Sequence, residues 1–241
     1  MIALLTDFGH SEYVGVVKAV IYSLAPEAKI VDLCHTVSPQ SVIEASWILK
    51  SNYNYFPKGT TFCCVVDPGV GTQRKAVAVK TEHYYFVAPD NGLLWETLTQ
   101  QKVAEIRQIP IPRNASRTFH ARDVFAKAAA QMHLGNFDKT GRRISTIKQL
   151  TLYRRGRRGI IVRIDKFGNV VTNLDKLEKT KYTVSLGTGK YTLSFYPNYA
   201  SADQGRLFLI EGSSGTLEIS IKNANAAEQM AVAPGQEIEI V

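Results

Sequence analysis

The 241-residue sequence has few cysteines: there are three, Cys34, Cys63 and Cys64, and the last two are adjacent. An odd number with this spacing makes a poor disulfide framework and lacks the paired spacing of a zinc site. Each cysteine lies within an apolar run, where a free thiol behaves as a small hydrophobic side chain. We therefore predict three reduced core cysteines, no bound metal and a reducing compartment.

Long apolar runs are also absent. No stretch approaches the roughly 20 residues that a membrane-spanning helix needs. The first residues, MIALLTDFG, read as a short strand that ends in a charged turn, without the basic start, apolar core and cleavage site of an export signal. The sequence thus predicts a cytoplasmic protein with no membrane partner.

Positive charge is in excess and unevenly spread. The formal net charge is +8, and residues 107–166 hold fifteen Lys or Arg against three Asp. The run RRGRR at residues 154–158 could contact phosphate backbones, because clustered guanidinium groups displace counterions from nucleic acid. No aromatic residues interleave with it and no nucleic-acid signature accompanies it. A solvated linker or subunit contact is the better interpretation, so we expect no nucleic-acid partner.

Short apolar strands alternate with helical stretches up to about residue 135. The strands IALLT, KIVDLC and TTFCCVV enclose helices predicted near residues 14–24 and 41–53. This alternation is typical of parallel strands covered by helices. We therefore predict an α/β amino-terminal domain with a mostly parallel sheet over residues 1–150. Successive strands end near Asp7, His35, Asp67 and Asn91, so several polar side chains should meet at one edge of the sheet.

A second pattern begins after about residue 150. Strands such as RGIIVRI, KYTVSLG and GTLEISI are separated by Gly, Asn, Asp and Ser turns, without a convincing helix. This pattern favours a small antiparallel sheet or barrel. We predict an all-β, barrel-like carboxy-terminal domain over residues 151–241, with the boundary inside residues 140–158.

Two segments of the first domain hold candidate catalytic residues. DPGVGTQRK places Asp67 at a strand end and Arg74 seven residues later, without the third glycine of a dinucleotide fingerprint or the GK[ST] of a phosphate loop. A tight turn with an incidental salt bridge explains it equally well. TFHARD places His120 just before an alanine-rich helix, where a lone histidine is more often structural. Catalysis requires the three side chains to meet, so that a histidine beside a carboxylate can position water.

Two segments of the second domain hold candidate binding residues. IDKFGN contains Asp165 and Asn169, and Asp165 together with Asp7 suits a ligand that has an ammonium group and a ribose diol. As an alternative, FGN is simply a hairpin turn. EGSSG contains Ser213 and is either a hairpin loop, which is favoured, or a set of donors for a carboxylate.

Six motifs together resemble one family. LLTDFG, YVGVVK, VVDPGVGTQRK, PDNGLL, TFHARDVFA and FGNVVTN, which span essentially the whole chain, are similar to those of the S-adenosyl-L-methionine hydroxide adenosyltransferases, formerly a domain of unknown function. Relatives of that family include fluorinating and chlorinating enzymes. The resemblance implies an α/β domain followed by a β-barrel, and trimers with active sites between neighbouring subunits. It also implies hydrolysis of S-adenosyl-L-methionine to adenosine and methionine by attack of water or hydroxide on ribose C5′, without a cofactor.

The resemblance assigns a catalytic role to Asp67, Arg74 and His120, which match the family's Asp, Arg and His set. A halide adenosyltransferase is the alternative, but the halogenating relatives lack the Asp and His at these positions, and the fluorinating branch has an insertion for which this chain has no room. Ala121 departs from the glycine of hydrolytic relatives and from the serine of the fluorinating enzyme. A second alternative is a non-catalytic protein that binds adenosine, S-adenosyl-L-methionine or nucleic acid.

The resemblance also assigns substrate contacts. Asp7 matches the ligand of the ribose diol, and Asp165 and Asn169 match the positions that hold the methionine amine and the adenine. Ser213 matches a serine that faces the methionine carboxylate or the adenine edge. Ser214 departs from the basic residue that the halogenating enzymes have in this loop.

Overall fold

The structure is a computed structural model that describes residues 1–241. The chain divides into two compact units, Met1–Thr151 and Leu152–Val241. None of its helices combines the length and the apolar character that crossing a membrane requires.

Seven strands form one mixed sheet in the first unit. In chain order they are β1 (Ile2–Thr6), β2 (Ile30–Cys34), β3 (Thr61–Val65), β4 (Ala76–Thr81), β5 (Tyr85–Pro89), β6 (Val103–Ile109) and β7 (Arg142–Ile144). Across the sheet their order is β2-β1-β3-β5-β4-β6-β7. Strand β1 pairs in parallel with β2 and β3, and β3 pairs in parallel with β5. The pairings of β4 with β5, β4 with β6 and β6 with β7 are antiparallel.

The prediction of a mostly parallel sheet is therefore wrong, since half of the pairings are antiparallel. Parallel neighbours need a crossover connection of a dozen or more residues. The strand and helix alternation that supplies such crossovers ends at β3. Only residues 66–75 separate β3 from β4, and only residues 82–84 separate β4 from β5. Strands β4 and β5 consequently form a hairpin, and the second half of the sheet is antiparallel.

Helices cover both faces of this sheet. They are α1 (Glu12–Leu24), α2 (Val42–Asn52), the short α3 (Trp95–Leu98) and α4 (Ala126–His133). The helices predicted near residues 14–24 and 41–53 are thus confirmed. Ser41 is the N-cap of α2, and its hydroxyl accepts a hydrogen bond from the Glu44 backbone N–H at 3.3 Å.

Successive side chains of each strand point to opposite faces of the sheet, so the core consists of two clusters. In β1, Ile2 and Leu4 pack with α1 and α4 on one face, whereas Ala3 and Leu5 pack with α2 on the other. The adjacent thiols of Cys63 and Cys64 point to opposite faces in the same way, and both are buried and free. Cys63 and Cys64 are thus core side chains, as predicted, whereas Cys34 is only half-buried. Burial raises the pKa of Cys63 to about 12.

The second unit is an antiparallel sheet that nearly closes on itself. Its strands are β8 (Arg158–Ile164), β9 (Val170–Asp175), β10 (Lys181–Leu186), β11 (Gly189–Ser194), β12 (Leu207–Glu211), β13 (Thr216–Ile221) and β14 (Glu237–Ile240), in the order β11-β10-β14-β8-β9-β13-β12. The two edges approach where the Tyr196 backbone N–H donates to the Leu209 carbonyl oxygen at 2.9 Å. The predicted all-β, barrel-like domain is confirmed, with one addition.

That addition is a short helix, α5 (Ala226–Met230), in a region for which the sequence predicts none. The Asn225 side chain caps it by accepting a hydrogen bond from the Glu228 backbone N–H at 3.1 Å. Five residues are too few to show helical periodicity. The cap and the helix-forming residues Ala, Glu, Gln and Met are the local signals for this helix.

The basic run RRGRR is engaged within the second unit. Arg154 pairs with Asp175, and the Arg158 Nε atom lies 3.1 Å from a Glu239 carboxylate oxygen. The Arg157 Nε donates to the Ile240 carbonyl oxygen at 2.6 Å. These three guanidinium groups therefore have partners within the second unit.

Candidate active site

Arg74 joins the three candidate catalytic residues of the first unit. Its Nε donates to both carboxylate oxygens of Asp67, at 2.8 and 3.0 Å, and its Nη2 also contacts Asp67. The same Nη2 lies 2.9 Å from His120 Nδ1. Only 9% of the Arg74 side chain and 6% of the Asp67 side chain are exposed. Because solvent screens so buried a pair weakly, the guanidinium holds Asp67 and His120 in fixed positions.

The contact with Arg74 fixes the tautomer of His120. A guanidinium has no acceptor, so His120 Nδ1 accepts this hydrogen bond and the neutral imidazole carries its proton on Nε2. Burial and the Arg74 charge lower the pKa of His120 below its ordinary value of 6.5, while the carboxylates of Asp67 and Asp123 offset part of this effect. The imidazole is therefore neutral near pH 7.

The loop between β3 and β4 brings Asp67 and Arg74 to this position. Asp67 follows β3 by two residues, and the Val70 backbone N–H donates back to its carbonyl oxygen at 3.2 Å. Gly71 has φ +76°, and a Cβ atom there would overlap the carbonyl oxygen of Arg117. Glycine at position 71 thus lets this loop pack against the segment that leads to His120.

A π-helical turn, which the sequence does not predict, follows His120. It covers Ala121–Phe125 and continues directly into α4. Such turns are uncommon and occur frequently at functional sites. The Phe125 ring lies beneath the guanidinium of Arg74, with 5.1 Å between Cζ and the ring centroid. This contact helps to fix the guanidinium, so Phe125 belongs to the site, although its motif TFHARDVFA predicts a role only for His120.

Asp7 lies at the same edge of the sheet as Asp67. Strands β1 and β3 are parallel neighbours, and Thr6 pairs with Val65, so both acids leave the sheet at the same end. One Asp7 oxygen accepts a hydrogen bond from the Gln40 backbone N–H at 2.8 Å. The loops that carry Asp7 and His120 meet through the rings of Phe8 and Phe119, whose centroids are 6.0 Å apart. As the sequence predicts, Asp7 and Asp67 therefore lie at the same edge of the sheet.

Other strand-end residues have structural partners. Asp32 binds Lys18 at 2.7 Å and His35 at 3.0 Å. The Asn91 side chain donates to the Val66 carbonyl oxygen at 2.8 Å, directly before Asp67. Asn91 therefore holds the end of the segment that carries Asp67, a role that its position alone does not reveal.

The candidate binding residues of the second unit line one cavity of about 770 Å³. Asp165, Asn169 and Ser213 are all in its wall, and a volume of this size suits a small organic ligand. The wall also contains residues that the sequence does not single out, among them Tyr199 and Glu218. The Asn169 Nδ2 donates to the Tyr199 hydroxyl oxygen at 3.2 Å. Neither missed residue lies in a recognisable motif, because both are brought to the cavity by the folding of the barrel.

The turn that carries Asp165 is also structural, as the hairpin alternative predicts. One Asp165 oxygen accepts hydrogen bonds from the backbone N–H groups of Phe167 and Asn169, at 2.8 and 2.9 Å. The other oxygen accepts one from Asn169 Nδ2 at 2.8 Å. Asp165 therefore shapes its own turn and faces the cavity at the same time.

Across the chain, no group of three or more His, Cys, Asp or Glu side chains is arranged to hold a metal ion.

Comparisons with known proteins agree with this arrangement. Family models match both units: the SAM hydroxide adenosyltransferase N-terminal domain at residues 2–141 and the C-terminal domain at residues 159–239. A protein from Thermus thermophilus named (R)-S-adenosyl-L-methionine hydrolase is 33% identical, with 98% of each chain covered. A fluorinase from Nocardia brasiliensis is 25% identical, covering 100% of this chain and 96% of the fluorinase.

A solved structure is similar over its full length. The crystal structure of an uncharacterized conserved protein from Thermotoga maritima has a TM-score of 0.91 and 37% identity, with 100% of both chains covered. The family models cover most of both units, and the hydrolase relative exceeds 30% identity over nearly the whole chain. This chain therefore belongs to the SAM hydroxide adenosyltransferase family.

Proposed function

We propose that this chain hydrolyses S-adenosyl-L-methionine to adenosine and L-methionine, as its curated hydrolase relatives are named to do. The main support for this proposal is the contact of Arg74 with both Asp67 and His120. A carboxylate, a guanidinium and a neutral imidazole in one buried cluster are suited to hold and deprotonate a water molecule. The proposed reaction requires no cofactor.

The chemistry needs a positioned nucleophile and a proton acceptor. The sulfonium is already activated by its charge, and methionine leaves as a neutral thioether, so no general acid is required. A C5′–O bond forms as the C5′–S bond breaks, and the electron pair of the broken bond stays on sulfur. The surplus proton of water must be taken up by the protein.

The geometry supports the following division of this work among the three residues. With Nδ1 accepting from Arg74, His120 offers Nε2–H as a donor that orients the water oxygen. Asp67 is then the group that receives the proton, because His120 Nδ1 can take one only after Arg74 moves away. Arg74 holds Asp67 and stabilises hydroxide character on the attacking oxygen.

The substrate contacts follow the family's motif positions and belong to the proposal. Asp7 binds the ribose diol, Asp165 the methionine amine, Asn169 the adenine, and Ser213 the methionine carboxylate or the adenine edge. The cavity that contains the last three supports this assignment, because it is large enough for part of such a substrate.

We further propose a homotrimer whose active sites lie between neighbouring subunits. Exposed aromatic side chains beside both groups of site residues support it, since 46% of Tyr13 and 66% of Phe167 are exposed in the single chain. A cytoplasmic location stays a prediction.

The test is to incubate the pure protein with the R and S sulfonium epimers of the substrate, with and without added chloride, and to identify the products by mass spectrometry. The relatives' name specifies the R compound, so both epimers are needed. We expect adenosine and methionine in equal amounts, at a rate that chloride does not change. A 5′-chloro product would instead support the halide alternative, and intact substrate despite binding would support a non-catalytic role.

A further inference from the structure

Glu218 is a buried acid that the proposed reaction has not used. It lies on β13, only 8% of it is exposed, and it lines the same cavity as Asp165, Asn169 and Ser213. Acidic side chains are rarely this buried unless they are paired or functional.

The position of Glu218 is fixed by close packing. A Cβ atom at Gly212 would overlap the Glu218 carboxyl group, so glycine at position 212 leaves the space that this group occupies. Gly212 directly precedes Ser213. The Glu218 carboxyl therefore lies against the base of the loop that carries Ser213.

Asp165 and Glu218 differ in the number of hydrogen bonds that their carboxyl groups accept from the chain. Three hydrogen bonds from its own turn occupy the oxygens of Asp165. No hydrogen bond contributes to the environment of Glu218, where burial and repulsion from Asp165 outweigh attraction from Arg163 and raise its pKa to about 7. Glu218 is thus the acid of this cavity with hydrogen-bonding capacity left for a ligand.

The other charged or titratable groups around the cavity do not neutralise Glu218. The Tyr199 hydroxyl lies near it, and its own pKa is raised by burial and, to a lesser extent, by the Glu218 charge. Glu211 pairs with Lys176 at 2.9 Å, and the Lys222 ammonium donates to the Ala200 carbonyl oxygen at 3.1 Å. Three acids line this cavity, Asp165, Glu211 and Glu218, and only Glu218 accepts no hydrogen bond or ion pair from the chain. The cavity is therefore electrostatically suited to a cation.

We propose that Glu218 is a substrate-binding residue that, beside Asp165, holds the α-ammonium group of the methionine part of the substrate. The inference rests on the proposed function for the identity of the ligand. Glu218 would distinguish an amino acid from its deaminated analogue. None of the family's motifs assigns this role. Since the ammonium prefers the ionised carboxylate, binding should weaken as the pH falls through 7.

Binding of L-methionine and of 4-(methylthio)butanoate, which lacks the ammonium, tests the proposal by calorimetry at about pH 8 and about pH 6. We expect the natural chain to prefer methionine at the higher pH and to lose much of that preference at the lower pH. Glu218→Gln should reduce the preference by about tenfold or more, because a hydrogen bond to a charged group is worth that much, and should remove its pH dependence. Glu211→Gln is the matched control, since Glu211 lines the same cavity but is already paired.

Two results would overturn the proposal: a natural chain that does not prefer methionine, or a Glu218→Gln chain that keeps the full preference. Folding of the variant is checked by thermal unfolding. A buried acid whose pKa is raised stabilises the fold below its ordinary pKa of 4.5, and this stability is lost as the pH rises through 7. Glu218→Gln should therefore unfold at no lower temperature than the natural chain at about pH 8. Turnover of S-adenosyl-L-methionine is measured separately, so failure of the proposed function and failure of this inference give different results.

Discussion

At the scale of single residues, the account depends on Arg74 holding two partners at once. Its guanidinium reaches both Asp67 and His120 because its nitrogens are spread in a plane, whereas an ammonium group is a single point. The sequence identifies all three residues through their motifs. It does not reveal the tautomer of His120, which only the contact with Arg74 determines.

Arg74→Lys should lower kcat by about a hundredfold or more, because the lysine cannot bind Asp67 at two points and still reach His120. Steady-state kinetics measures the effect. Arg158→Lys is the control, since Arg158 forms an exposed ion pair with Glu239 in the second unit, and it should keep the natural rate. If Arg74→Lys had the same kcat as the unmodified protein, the role given to Arg74 would be contradicted.

The pH dependence of kcat should reflect a neutral His120. Because burial and the Arg74 charge lower its pKa, the neutral form persists to a pH below the ordinary value of 6.5 and is lost only in more acidic solution. At saturating substrate, kcat should thus be flat around neutrality and fall on the acid side. A pH–rate profile measures this, and a rate that rises with acidity through this range would mean that the charged imidazole is the active form.

At the scale of elements, periodicity predicts some parts of the fold and not others. The order β1-α1-β2-α2-β3 follows from alternating apolar runs and helical stretches of ordinary length. The direction of β4 does not follow from this pattern. It depends on the short connection after β3, whose conformation the pattern does not predict. The π-helical turn at Ala121–Phe125 has no pattern of its own, and Glu218 reaches the cavity only through the pairing of β13 with β9 and β12.

Gly71→Ala tests the contact between the two elements that carry the site. The new Cβ would meet the Arg117 carbonyl oxygen and separate the β3–β4 loop from the segment before His120. Both kcat and stability should fall. The control is Gly59→Ala, because Gly59 also has a positive φ, +85°, but has open space around it.

Gly59→Ala should lose about 1 kcal/mol or more of stability through backbone strain while keeping its activity. Kinetics and thermal unfolding of both variants measure the difference. Equal activity in the two variants would mean that the packing of these elements does not position the catalytic residues.

At the scale of the whole molecule, the residues proposed for catalysis and most of those proposed for binding lie in different units. Asp67, Arg74 and His120 belong to the first unit, whereas the cavity with Asp165 and Glu218 belongs to the second. The proposed reaction uses residues of both units, and in the proposed homotrimer they come from neighbouring subunits.

Light scattering during size-exclusion chromatography should therefore give a molar mass of three chains. Two variants, Asp67→Asn and Asp165→Asn, should each be inactive. If each site combines residues of two subunits, dissociating both proteins, mixing them and letting them reassemble should restore part of the activity. A monomer that is fully active would contradict the proposed assembly.

Turnover in water enriched in heavy oxygen shows whether water attacks ribose C5′. We expect one heavy oxygen atom to enter adenosine, at the 5′ position, and methionine to be released without it. Heavy oxygen in an amino acid product or in methanol would place the attack on another carbon of the sulfonium and would contradict the account.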